Sequence, residues 1–73
     1  MTDGQLEALA VTVGLAGRAD PHVWVNVWAR ETHPALDGNT PDDYLVVHLS
    51  RKSWLLVCAL AVLDAVPPKM KMD

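Results

Sequence analysis

The apolar positions fall into four stretches, separated by short runs of proline, glycine and capping residues. Over residues 3–16, Leu6, Leu9, Ala10 and Val13 recur at the spacing of one helical stripe, with Gln5, Glu7 and Thr12 off it. Thr2 or Asp3 can cap this helix, and Gly14 and Gly17 mark its end. Asp20-Pro21 opens a second segment with an N-cap acid and a proline at the first helical position. Its pattern alone is ambiguous. Val23, Val25 and Val27 alternate with Trp24, Asn26 and Trp28 as in a strand, yet on a helix Trp24, Val27 and Trp28 share a face. The explicit cap favours a helix.

A third helix is predicted from Pro41 to about His48, with Tyr44, Leu45 and His48 facing inward. Ser50 then caps a fourth, Arg51 to Val66, whose run from Trp54 to Leu63 is apolar on every side. A helix that is hydrophobic all round must be buried all round. Four short helices can cover one face of it, so the other face needs a second molecule. Pro67-Pro68 stops the helix. The chain thus divides into a single helical domain, 1–66, and a tail, 67–73.

The segment between the second and fourth stretches concentrates breakers and caps. Pro34 disfavours a helical conformation at His33, so the second helix should end near there. Asp37-Gly38-Asn39 tolerates positive φ and permits a tight reversal. Thr40 caps, Pro41 starts the third helix, and Asp42 and Asp43 meet the positive end of its macrodipole. Pro34, Leu36, Gly38, Thr40 and Pro41 are the structural corner on which the other elements should be arranged.

The spacing around this corner carries a resemblance. Trp28 lies six residues before Pro34, in W-A-R-E-T-H-P-A-L-D-G-N-T-P-D-D-Y-L. This resembles the signature of the Xre/MbcA/ParS-type toxin-binding domain of antitoxins. Trp28, Pro34, Ala35, Leu36, Gly38, Thr40, Pro41 and Leu45 match it. Asp37 replaces the first glycine of the usual pair, and Asp42 stands where an apolar residue is common. The match covers roughly residues 19 to 66. The resemblance implies a helical fold, self-association, and inhibition of a separate RES-type toxin that consumes NAD. It also implies that residues at the C-terminal end reach into the toxin's active site. Antitoxins of this kind carry a DNA-binding helix-turn-helix upstream. Residues 1–18 are too few for one, so the DNA-binding part is expected to be missing.

Composition narrows the choice. A chain of 73 residues buries only roughly 60% of its unfolded surface and gains from a partner. The net charge of -3 argues against a nucleic-acid surface. The single cysteine, Cys58, excludes an internal disulfide and lies in an apolar run, as a structural thiol does. No basic stretch precedes an apolar one at the N-terminus, and the longest apolar run is too short to span a bilayer. A cytoplasmic protein with no membrane partner is expected.

No catalytic pattern emerges. His22, His33 and His48 belong to three different elements and match no metal-ligand spacing. Asp42 and Asp43 are adjacent on a helix, so they do not face each other as an acid/base pair would. Ser50 and Ser53 have no histidine and acid arranged around them. No enzyme activity, cofactor or metal is expected.

The sequence therefore predicts an all-α bundle of three or four short helices, packed around Leu9, Val13, Trp28, Leu36, Leu45, Leu56, Leu60 and Leu63. The expected function is that of a stand-alone protein-interaction module. Its partner would be a RES-type toxin, or another host protein if a phage had redirected it. The alternative is a self-associating structural or regulatory subunit with no toxin. Trp54, Leu55, Leu56, Leu60 and Leu63 are the candidate homodimer interface. Trp24 and Trp28, together with Lys69, Met70, Lys71, Met72 and Asp73 of the tail, are the candidate partner-binding residues.

Overall fold

The computed structural model describes residues 1–66, and the tail residues from Pro67 to Asp73 lie outside them. Four α-helices follow in order: α1 (Asp3–Leu15), α2 (Pro21–Trp28), α3 (Pro41–Val47) and α4 (Arg51–Ala65). A 3-10 turn (Pro34–Leu36) lies between α2 and α3. The all-α class is as expected.

Helix ends follow the local chemistry. Thr2 closes a full capping box on α1, its hydroxyl accepting from Gln5 N–H while the Gln5 side chain accepts from Thr2 N–H. Thr40 and Ser50 cap α3 and α4 in the same way, accepting from Asp43 and Ser53 N–H. Asp20 departs from expectation. It precedes Pro21 but makes no side-chain cap hydrogen bond. Its carboxylate is drawn instead to the Arg18 guanidinium, 2.5 Å away. α2 also stops at Trp28, five residues before His33, and the intervening chain winds through turns.

The core joins Leu9, Ala10 and Val13 of α1, Val25 and Trp28 of α2, Leu36, Leu45, and Val57, Ala61 and Ala65 of α4. α1 and α4 run in the same direction. At one end Arg18 donates to the Ala65 carbonyl at 3.3 Å. At the other, the Met1 amino group contacts the Asp42 carboxylate, and Met1 lies beside Leu45 and Leu49.

The expected core is right for Leu9, Val13, Trp28, Leu36 and Leu45 and wrong on α4. Leu60 is half-buried, while Leu56 and Leu63 are 37% and 58% exposed. The inward face is Ser53, Val57, Ala61 and Ala65, an i, i+4 row of small side chains that lets α4 approach its neighbours closely. Asp64 helps fix this rotation. It lies seven residues after Val57, on the same face, where its carboxylate meets a donor on α2. Turning the leucines inward would carry Asp64 away from that donor. His48 corrects a second expectation: it is exposed and stacks on half-buried Tyr44, with centroids 4.1 Å apart.

Candidate functional site

Two arrangements stand out on the described residues. The first is a ladder of flat side chains at the C-terminal end of α4. The Arg18 guanidinium lies over the Trp24 ring at 5.6 Å. Trp24 stacks on Trp28 at 5.5 Å and 17°, the two being one helical turn apart on α2. Trp28 in turn meets the His33 ring at 4.7 Å, tilted by 42°.

Asp64 closes this ladder from α4. Its Oδ2 accepts from Trp28 Nε1–H at 2.8 Å, and His33 Nδ1 lies 3.7 Å from the same oxygen. His33 Nε2 lies 3.4 Å from the Trp28 carbonyl. Arg18 serves three neighbours at once: Asp20, the Trp24 face and the Ala65 carbonyl. The hydrogen bond from Arg18 holds the Asp20 carboxyl below its ordinary range. The ladder therefore ties the α1–α2 loop, α2, the corner and the end of α4 into one unit.

This cluster places the two candidate tryptophans differently. Trp28 is buried and its indole N–H is spent on Asp64, so a partner cannot reach its face without opening the fold. Trp24 is half-buried beneath Arg18. Sequence reading missed Arg18 and Asp64. The signal present for Asp64 was only that a single acid ends a ten-residue apolar helical run and so marks where that run meets water or a polar neighbour.

The second arrangement is the outward side of α4. Leu55, Leu56 and Leu63 are exposed, and Trp54 and Leu60 are half-buried at its margins. Of the five candidate interface residues, the structure thus brings Leu56, Leu60 and Leu63 onto one helical face and sets Leu55 and Trp54 successively further round. Further exposed aliphatics are Val46, Val47 and Leu49 at the α3–α4 junction, Val11 and Leu15 on α1, and Val23 and Val27 on α2. An open groove of about 440 Å³ lies between the start of α1 and the end of α3, lined by Met1, Thr2, Gln5, Leu45, Val46 and Leu49.

The corner is a 3-10 turn closed by an isolated antiparallel bridge between His33 and Asn39. Both Asp37 (φ 60°) and Gly38 (φ 78°) are left-handed. The aspartate that replaces glycine in the resembled signature therefore carries a glycine-like conformation, which its short polar side chain tolerates. Leu36, fully buried, plugs the corner into the core.

The three histidines sit apart. His22 pairs with Glu7 at 3.0 Å, His33 joins Trp28 and Asp64, and His48 stacks on Tyr44. Among the described residues no group of three His, Cys, Asp or Glu could hold a metal ion, and no helix is long and apolar enough to cross a membrane. Cys58 is half-buried, and that burial raises its thiol above the ordinary range.

No protein-family model, no curated protein and no solved structure matches this chain.

Proposed function

We propose that the chain is a protein-interaction module that pairs with a second copy through the outward side of α4 and presents a further surface to a foreign protein. The observation that carries this reading is the exposure of Leu55, Leu56 and Leu63 on one long helix, beside half-buried Leu60. Scattered single leucines on a surface need no explanation, but a continuous apolar helix side on so small a domain does. The resemblance around Trp28 and the corner supplies the class of foreign partner, a RES-type toxin or a redirected host protein. A self-associating subunit with no toxin rests on the same α4 surface and is the second reading.

Two measurements separate these possibilities. Light scattering on the wild-type chain should give a dimer, and Leu56→Asp should give a helical monomer. A wild-type monomer at high micromolar concentration would remove self-pairing. Purified RES-type toxin should then be titrated against the dimer, with NAD consumption as the readout. Unchanged consumption at saturating module would leave the self-associating subunit as the function.

A further inference from the structure

We infer that the groove beside the α3–α4 junction is the seat of the tail of a second copy, residues Lys69–Met72, so that paired chains exchange tails. This rests on the self-pairing through α4 proposed above. The groove is lined on one side by Leu45, Val46 and Leu49, and Leu49 is 83% exposed. Asp42 and Asp43 lie one turn before Val46 and Val47 on α3, so carboxylates border the apolar lining. A fitting occupant alternates apolar and basic side chains. Within this sequence that alternation occurs at Lys69-Met70-Lys71-Met72. Methionine adapts to a shallow apolar lining, and lysine can pair with Asp43.

Reach decides which copy supplies the occupant. α1 and α4 run in the same direction, so the groove lies at the start of α4 and Val66 at its end. The 15 residues of α4 separate them by about 22 Å. Met70 is four residues beyond Val66, and that much chain spans at most about 14 Å. A chain therefore cannot place Met70 in its own groove. A second copy can, if the two α4 helices pair antiparallel. Setting Leu56 against Leu63 of the partner puts the partner's chain direction opposite and the end of its α4 beside Trp54. From there the four residues between Val66 and Met70 have enough length to cover the roughly 11 Å back to Leu49. Antiparallel pairing also sets the helix dipoles favourably.

Disulfide trapping in the full chain tests this. In a Cys58→Ser background, chains carrying Leu49→Cys are mixed with chains carrying Met70→Cys and oxidised. The expected result is a covalent heterodimer formed at least about tenfold faster than with Val11→Cys, an exposed site on α1, because docking raises the effective concentration. Adding Leu56→Asp to both chains should abolish the preference. A wild-type dimer that shows no preference for Leu49→Cys over Val11→Cys would overturn tail exchange and leave self-pairing standing. A wild-type monomer would overturn self-pairing and the exchange together. Preferential trapping within a single chain bearing both cysteines, or trapping that persists in the Leu56→Asp monomer, would also overturn the exchange.

Discussion

Trp28 and Asp64 are joined by a 2.8 Å hydrogen bond across 36 positions of sequence. The bond anchors the last turn of α4 to the last turn of α2. A buried indole N–H left without an acceptor would cost the desolvation of that group, about 1–3 kcal/mol. Trp28→Phe removes the donor and keeps an aromatic ring, but it also leaves a smaller ring in a closed core. It should destabilise the fold by about 2 kcal/mol. Asp64→Ala strands the N–H and should cost about 1 kcal/mol, less than a fully buried pair because the Asp64 side chain is half exposed. Denaturant unfolding of both single variants and the double variant checks this. Additive losses would show that the two residues do not act through one bond.

The corner makes a sharper prediction, because Gly38 is free of packing. A Cβ added there meets nothing within 4 Å, so the cost of Gly38→Val is backbone strain alone. With φ at 78° that cost should be about 1–3 kcal/mol. Asp37→Gly should go the other way or stay neutral, since Asp37 already holds φ 60°. Thermal melting of the two variants distinguishes a rigid corner from a loose one. Equal melting of Gly38→Val and wild type would mean that the turn relaxes to another conformation at little cost.

The elements were legible in the sequence where local chemistry dictates them. Thr2, Thr40 and Ser50 cap helices, and Asp37-Gly38 turns the chain, because those effects act within one turn of backbone. The rotation of α4 was not legible. Its apolar run offers no polar face to mark the outside, so periodicity could not choose between the Val57–Ala61–Ala65 row and the Leu56–Leu60–Leu63 row. The choice depends on close approach of small side chains and on the Trp28 donor that Asp64 meets, both set by distant residues. The same holds for the ladder. The Trp24–Trp28 pair was visible as a helical spacing, but Arg18, His33 and Asp64 reach it from three other segments.

That rotation predicts opposite outcomes for neighbouring positions on α4. Val57 is fully buried, so Val57→Asp places a carboxylate in the core and should abolish folding. Leu56 is more than a third exposed, so Leu56→Asp should retain helicity and lose only self-association. Ala61 is fully buried, so Ala61→Leu should destabilise by about 1–3 kcal/mol through overpacking. Circular dichroism with light scattering on each variant checks the set. Loss of helicity in Leu56→Asp alongside a folded Val57→Asp would require α4 to be rotated from the orientation described.

Cys58 gives a pH prediction whose sign follows from burial. The thiol sits half-buried on α4, and desolvation raises it above its ordinary value of 9.0. Below that value the thiol is protonated in the folded and the unfolded chain, and contributes no pH dependence. As pH rises past it, the unfolded chain loses the proton first, while the folded chain holds on. Stability should therefore decline on the alkaline side, starting near the ordinary thiol value and levelling off once the folded thiol also ionises. Cys58→Ala removes the group and should flatten that decline relative to wild type. The same burial makes the thiolate scarce at neutral pH, so a thiol-specific reagent should react more slowly with folded protein than with protein in denaturant. Urea midpoints at several pH values between neutrality and about 10.5, paired with reaction rates at each, would check both effects. A Cys58→Ala curve parallel to wild type, together with equal reaction rates in folded and unfolded chain, would place the thiol in water and turn α4 so that Cys58 faces outward.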